Sequence, residues 1–359
     1  MTYLNHAGTS WPKPPSVRAA AQAVEDADPS TWGEHFATAH ARIAAHFAVP
    51  TESLLPTPSC TQALAVAVAD IPWQPGDRVL TTSMEHHALW RPLTKLAARG
   101  VEVVELPRAP DGLLDLEALR AALASGPTRL VAMSMASNVT GEALPWVDVV
   151  SLAHDHGALC LLDGAQVAGW VPLDLTALEV DLFAFAGHKG PQAPSGIGGL
   201  YVRPGLFLDT PGASCDGAVC RTGPGYCDTG SVNLPALVGL AAGLDWMRAH
   251  EPLAQAQAHA AQLRAQRSRW PGAQVVGGPA LLPTISLVHP DRNPQELASS
   301  LHGAGIMARA GTQCAPRAHR ALGTGSKGTL RLSIGPTTTS SEVDAAIVAL
   351  ETAMRRVIR

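Results

Sequence analysis

Four lysines stand in a chain of 359 residues, and the other 22 of its 26 basic side chains are arginines. A lysine amine condenses with carbonyl compounds, so chemistry of that kind has four possible seats here. Lys13, Lys95 and Lys327 lie in contexts with no other chemistry-bearing residues. Lys189 differs, because it follows the apolar run Asp181–Ala186 within Gly187-His188-Lys189. Other apolar runs end in the same way. Arg78–Ser83 is followed by Met84-Glu85-His86-His87, and Arg129–Met135 by Ala136-Ser137-Asn138. Ala158–Leu162 is followed by Asp163-Gly164-Ala165-Gln166. One such ending would mean little. Five chemistry-bearing types at the ends of successive strands define a candidate site.

The set suits pyridoxal phosphate. That cofactor needs a lysine amine, a carboxylate against its pyridine nitrogen, a flat group on its ring face and donors near its phenolic oxygen. It also needs an anion site, often a helix N-terminus. Thr57-Pro-Ser-Cys-Thr-Gln-Ala63 opens an apolar helix whose first backbone N–H groups and Thr61 hydroxyl suit a phosphate.

The elements that must position these groups follow from the periodicity. Strand patterns at 78–83, 101–106, 129–135, 158–163, 181–186 and 199–203 alternate with helical patterns at 88–99, 115–124 and 146–156. Continuous apolar strands alternating with helices predict βαβ units and a mainly parallel sheet buried on both faces. A ligand then binds beyond the carboxyl ends of the strands. A long helical region over 234–270 is expected to break at Pro252. The remainder reads as strand, helix, strand, helix. The predicted organisation is an arm over 1–15, a large α/β domain over 16–245 and a smaller α+β domain over 246–359.

A net charge of −4 speaks against a nucleic-acid-coating protein, and 46% hydrophobic residues against a disordered chain. The N-terminal stretch has no basic segment followed by an apolar one, and no apolar run reaches the roughly 18 residues of a membrane span. The expectation is a cytoplasmic protein without membrane or nucleic-acid partners. Six cysteines in a chain this long, without a secretion signal, do not suggest a disulfide framework. Cys160 reads as core. Cys215, Cys220 and Cys227 cluster in a Gly-rich stretch whose spacing lacks a paired CxxC, so no metal is expected there.

Taken in order, these motifs resemble the class V aminotransferase family of fold type I pyridoxal phosphate enzymes, and within it the cysteine desulfurase and selenocysteine lyase group. The resemblance runs through Tyr3-Leu-Asn-His-Ala-Gly-Thr-Ser10, Ser59-Cys-Thr-Gln-Ala63, Glu85-His-His87, Ser137-Asn-Val-Thr-Gly141, Asp163-Gly-Ala-Gln166 and Gly187-His-Lys189. It continues through Gly230-Ser-Val-Asn233, Arg309-Ala-Gly-Thr-Gln-Cys-Ala-Pro316 and Gly328-Thr-Leu-Arg-Leu-Ser-Ile-Gly335. It implies that Lys189 binds the cofactor and moves the substrate proton, and that Asp163 pairs with the ring nitrogen. Gln166 and Asn138 would face the ring oxygen or the substrate. His86 would stack on the ring and act as an acid–base group, with His87 as the alternative for stacking. Cys60, Thr61 and His188 would form the phosphate site. Ser231 would reach the phosphate of a second subunit, implying a homodimer. Arg331 would clamp the substrate carboxylate, with Arg309 and Asn138 beside it. Cys60 and Ala186 stand where the family more often has hydroxyl residues, and His6 where Asn or Ser is commoner.

Cys314 sets the subgroup. Breaking the Cβ–S bond of L-cysteine needs a nucleophile for the sulfur, and a thiol on a mobile polar loop would serve. Gly311-Thr-Gln-Cys-Ala-Pro316 has that character, and Arg309, Arg317 and His319 are close enough in sequence to lower the thiol pKa. The resemblance thus implies conversion of L-cysteine to L-alanine with a persulfide on Cys314. Selenocysteine would serve by the same chemistry, and a protein or small thiol would take the sulfur. The alternatives within the family are another C–S lyase, an aminotransferase or an epimerase.

Overall fold

The computed structural model describes residues 1–109, 114–206, 214–215, 218–219 and 231–355. In chain order the first half runs β1 (Thr2–Tyr3), α1 (Pro15–Glu25), α2 (Trp32–His46), β2 (Leu54–Thr57), α3 (Cys60–Ala69), β3 (Arg78–Thr82), α4 (His87–Leu96), β4 (Glu102–Leu106), α5 (Leu116–Ala124), β5 (Leu130–Ser134) and α6 (Trp146–Asp155). It continues with β6 (Leu159–Asp163), β7 (Leu182–Ala186), β8 (Gly198–Val202) and the short pair β9 (Ser214–Cys215) and β10 (Ala218–Val219). The second half comprises α7 (Leu234–His250), α8 (Leu253–Ala265), β11 (Gln274–Val276), β12 (Thr284–Val288), α9 (Pro294–Gly303), β13 (Ile306–Met307), β14 (Arg309–Gly311), α10 (Pro316–Ala321), β15 (Thr329–Ser333) and α11 (Ser340–Arg355).

Seven strands form the main sheet in the order β2-β8-β7-β6-β5-β3-β4. Strands β3 to β7 are mutually parallel, while β8 runs antiparallel to both β7 and β2. The apolar runs are continuous because both faces are covered. Along β7, Phe183 and Phe185 enter one core cluster, and Leu182, Ala184 and Ala186 enter the other. Along β5, Val131 and Met133 face the first cluster, Leu130 and Ala132 the second. That period of two is the geometry of a strand. It fixes which way the strand ends point, since a one-residue slip would exchange the two faces.

Strand β2 was not expected. It is an edge strand carrying Pro56, whose missing N–H is tolerated only where one side of the strand is unpaired.

A second sheet, β11-β12-β15-β14, is antiparallel throughout. Leu330 and Leu332 of β15 join Ile285, Leu287, Leu297, Leu301, Ile347 and Leu350 in its apolar cluster. Thr329, Arg331 and Ser333 therefore occupy the opposite face of β15. The N-terminus belongs to this sheet's neighbourhood, since β1 pairs with β13 and Leu4 enters the same cluster.

The helical region does break ahead of Pro252, with Glu251 at φ 43° between α7 and α8. A boundary at 245 would cut α7. Leu240 and Leu244 of that helix pack in the large-sheet core, whereas Ala256, Ala260 and Leu263 of α8 pack with the second sheet, so the turn at Glu251 is the better division.

Candidate active site

At the carboxyl ends of the main-sheet strands, beside the N-terminus of α3, lies a cavity lined by Cys60, Thr61, His86, Asn138, Asp163, Gln166, His188 and Lys189 among others. The residues expected at four strand ends thus converge on one space.

Asp163 ends β6 and is 5% exposed. Its Oδ1 accepts from the Ala165 N–H at 2.9 Å and from the Cys60 thiol at 3.4 Å. The other carboxyl oxygen has no hydrogen bond among the described residues. Burial raises the Asp163 pKa, against the Ala165 N–H and the charge of Lys189. A buried carboxylate with one oxygen uncommitted is poised for a cationic partner. Lys189 follows β7, and its amine makes no hydrogen bond among the described residues. Burial pushes its pKa down and the Asp163 charge opposes that shift.

His86 caps α4, its Nδ1 accepting from the Ala88 N–H at 3.0 Å. Burial, reinforced by the charge of Lys189, lowers its pKa to about 4. At neutral pH the ring is therefore uncharged, with its proton on Nε2. His86 lines the cavity and His87 does not. Accepting a proton at Nε2 would need the ring proton on Nδ1, which the cap occupies. The geometry leaves it a flat face and one N–H donor.

The expected phosphate site, the N-terminus of α3, opens a 10-residue helix capped by the Ser59 side chain on the Gln62 N–H. Helix and sheet approach closely there because β8 carries glycine. A Cβ on Gly198 would stand 2.5 Å from the Phe185 carbonyl oxygen and 3.0 Å from the Cys60 nitrogen. Thr61 lines the cavity, while the Cys60 thiol turns to Asp163. His188 Nδ1 meets Thr9 Oγ1 at 3.0 Å, and burial lowers its pKa to about 4. Lys13 is not a bystander. Its amine donates to the His188 carbonyl at 3.0 Å, and burial lowers its pKa to about 8. Thr9 and Ser10 donate to the same carbonyl, so the N-terminal arm is fastened beside Lys189. Gln166 Nε2 also holds that arm, donating to the Ala7 carbonyl at 3.1 Å. His6 does not reach the cavity. It is buried against Gly335, with its Nδ1 unpartnered.

Arg331 on β15 is 3% exposed and has no carboxylate partner among the described residues. Two of its nitrogens donate to the Asn138 carbonyl at 2.7 Å and to Asn5 Oδ1 at 2.9 Å, leaving Nε unsatisfied. A buried guanidinium with open donors and no counter-ion is chemically suited to a carboxylate. Burial, together with the nearby positive charge of Arg309 across the strand pair, lowers its pKa to about 10. Arg309 itself is exposed.

Cys314 is exposed, and its thiol is near enough to act electrostatically on both Lys189 and Arg331. The expected charge partners do not surround it. Arg317 pairs with Glu105 and stacks over the Trp90 ring at 3.8 Å. His319 is fully buried, and burial lowers its pKa to about 4, so it is neutral. Nor is the loop free: the Cys314 carbonyl accepts from the His87 N–H at 2.9 Å, and the Gln313 carbonyl from Asn138 Nδ2 at 2.8 Å.

Sequence reasoning passed over three site neighbours. Glu85, fully buried, accepts from Thr82, from the Ser134 N–H and from the Ser134 hydroxyl at 2.7 Å. Gln313 and Lys13 are the others. Only Glu85 had a signal, a carboxylate adjoining the His86-His87 pair at a strand end. Ser231 is exposed ahead of α7. Cys220 and Cys227 lie outside the described residues, and the side chain of Cys215 does too.

The residues fit pyridoxal phosphate. An unpaired lysine, a half-committed carboxylate, a flat uncharged imidazole and a helix N-terminus surround one cavity, with an unsatisfied arginine beyond it. Fold and site define an α/β enzyme that uses this cofactor. The aminotransferase class-V sequence profile matches residues 3–346, and the chain belongs to that family. It is 32% identical over 338 residues to a probable cysteine desulfurase of Vibrio cholerae, covering 89% of this chain and 82% of that one. The cysteine desulfurase CsdA of Escherichia coli superposes with a TM-score of 0.88 at 26% identity, covering 99% and 95% of the two chains. A cysteine desulfurase of Thermococcus onnurineus superposes at 0.91 with 24% identity, covering 99% and 94%, which speaks for the fold alone.

Proposed function

We propose that this chain is a cysteine desulfurase that converts L-cysteine to L-alanine and carries the released sulfur on Cys314. The observation that carries the reading is one juxtaposition. An exposed thiol follows Gln313, whose carbonyl accepts from the cavity-lining Asn138, and the Asn138 carbonyl in turn accepts from the uncompensated Arg331.

Bound there, the cofactor supplies an electron sink that labilises the bonds at the substrate Cα and Cβ. The chain supplies the rest. Lys189 holds the cofactor and, with a pKa lowered by burial, has an amine suited to carrying the Cα proton. Asp163 keeps the ring nitrogen protonated through its uncommitted oxygen. The imidazole of His86 would hold the ring, and the α3 N-terminus and Thr61 would hold the phosphate. Arg331 binds the substrate carboxylate through Nε and its remaining N–H groups, which orients the side chain toward Cys314. The Cys314 thiolate attacks the substrate sulfur. An S–S bond forms, the Cβ–S bond breaks, and its electron pair stays on carbon, which takes a proton. Thiol plus L-cysteine becomes persulfide plus L-alanine, with no outside oxidant or reductant. Attack on selenium would follow the same course. The persulfide then passes its sulfur to an acceptor protein or small thiol, and the enzyme works as a cytoplasmic homodimer with Ser231 directed toward the partner's phosphate site.

Incubation of the holoenzyme with L-cysteine tests this reading. Alanine and sulfane sulfur should appear in equal amounts, and both should vanish in Cys314→Ser. Unchanged alanine formation in that variant would overturn the proposal.

A further inference from the structure

Cys314 and the residue before it share an unusual backbone. Gln313 has φ 43° and Cys314 has φ 58°, two successive non-glycine residues in the left-handed region. Such conformations persist only where the surroundings over-determine them. Here the surroundings can be traced atom by atom. The Gln313 side chain is buried, with Nε2 donating to the Thr329 carbonyl at 3.0 Å and Oε1 accepting from Thr329 Oγ1 at 3.3 Å. The Thr329 carbonyl only accepts, which fixes the orientation of the amide. Oε1 also meets His319 Nε2 at 2.9 Å, so that nitrogen carries the proton. His319 Nδ1 is left as an acceptor for the Thr324 hydroxyl at 2.7 Å. One nitrogen of a fully buried imidazole is thereby spent on setting the glutamine, and the other ties the ring to Thr324. Through its carbonyl, that glutamine receives Asn138, whose own carbonyl receives Arg331.

We propose that His319, acting through Gln313, is a positioning residue for sulfur transfer: the pair locks the Cys314 turn in the conformation that aims its thiol at the Arg331 end of the cavity. The inference rests on the sulfur-transfer reading above. It replaces a searching loop with a preset thiol. Loss of the His319 donor frees Gln313, and the left-handed turn relaxes toward ordinary backbone. A displacement of about 1 Å at a nucleophile costs on the order of a hundredfold in rate.

The test uses holoenzyme carrying His319→Leu, His319→Gln or Cys314→Ala. Three rates are followed: growth of the sulfur adduct on Cys314 by mass spectrometry, alkylation of Cys314 by iodoacetamide, and exchange of the Cα proton of L-alanine in deuterated buffer. The last engages Lys189 and Arg331 but not the thiol. His319→Leu should slow adduct growth about tenfold to a hundredfold. It should change the alkylation rate and leave exchange within about twofold of the parent. His319→Gln, which keeps a donor toward Gln313 Oε1, should recover most of the adduct rate. Adduct growth at the parent rate in His319→Leu, or an equal loss of exchange, would overturn the proposal. Should His319→Leu fail to fold, Thr324→Val loosens the same imidazole from its other nitrogen. It should slow adduct growth with exchange intact, and an unchanged adduct rate would overturn the inference. Full alanine production from L-cysteine by Cys314→Ala is a separate outcome, which removes the sulfur-transfer reading itself.

Discussion

At one end of the cavity, Lys189, Asp163 and His86 hang from the carboxyl ends of β7, β6 and β3, in a sheet buried on both faces. At the other end, Cys314 sits in a turn between β14 and α10, with an exposed thiol. The cofactor end holds charged groups whose partners are missing, an unbonded amine and a half-committed carboxylate, and between the two ends stands an arginine with an orphaned Nε. The sulfur end is the reverse, because every polar group around the Gln313 side chain is satisfied. Unpaired groups mark where a ligand will complete the structure. Fully paired ones mark where the chain holds a reactive atom in place. One end is built to receive, the other to aim.

Separating the two ends by substitution sharpens that contrast. Lys189→Ala should have the largest effect, lowering turnover by about 10⁴-fold or more and abolishing the visible absorption that depends on the lysine. Iodoacetamide should still alkylate Cys314 at the parent rate, and a parallel loss would mean the ends are not independent. Arg331→Leu touches both ends through Asn138. It should lower kcat/KM for L-cysteine by about a hundredfold, chiefly through KM, as the loss of a bidentate charged contact requires. A change confined to kcat would contradict its role as carboxylate receptor. Cys60→Ala removes only the weak S–H donor to Asp163 and should cost about threefold in turnover, with a small shift in the cofactor absorption band.

The effect expected at Glu85 is read in stability rather than in turnover. Burial raises its pKa from 4.5 to about 7, against the pull of Thr82 and Ser134. The folded chain then binds this proton more tightly than the unfolded one. The contribution is fully present below pH 4.5 and is lost as pH rises toward 7, by about 3 kcal/mol at most. Holoenzyme Tm should fall by several degrees between pH 5 and pH 8, and less steeply in Glu85→Gln. Parallel slopes for the two proteins would remove Glu85 as the cause.

The same contrast explains what could be read from sequence. The cofactor end was legible because its residues are rare types placed directly after apolar strands. Lys189 stood out among four lysines, and Asp163 and His86 followed from the same strand-end logic. The sulfur end was legible only as Cys314 in a polar stretch. Its supports, Gln313, His319, Thr324 and Thr329, are ordinary types from a loop, a helix, a second loop and a strand. No sequence spacing brings them together. Proximity along the chain also misled: Arg317 and His319 lie within five residues of Cys314, yet one is held by Glu105 and the other is buried and neutral. Lys13 was passed over for the converse reason, since it reaches His188 only through the fold of the N-terminal arm.

The central claim is that sulfur passes from substrate to the Cys314 thiol. Brief mixing of the holoenzyme with L-cysteine, acid quenching and mass spectrometry of the Cys314 peptide tests it directly. The account predicts a mass gain of one sulfur atom on Cys314, reversed by a thiol reductant and matched by one alanine released per adduct. Alanine production with Cys314 unmodified, or an adduct on Cys60 instead, would contradict it.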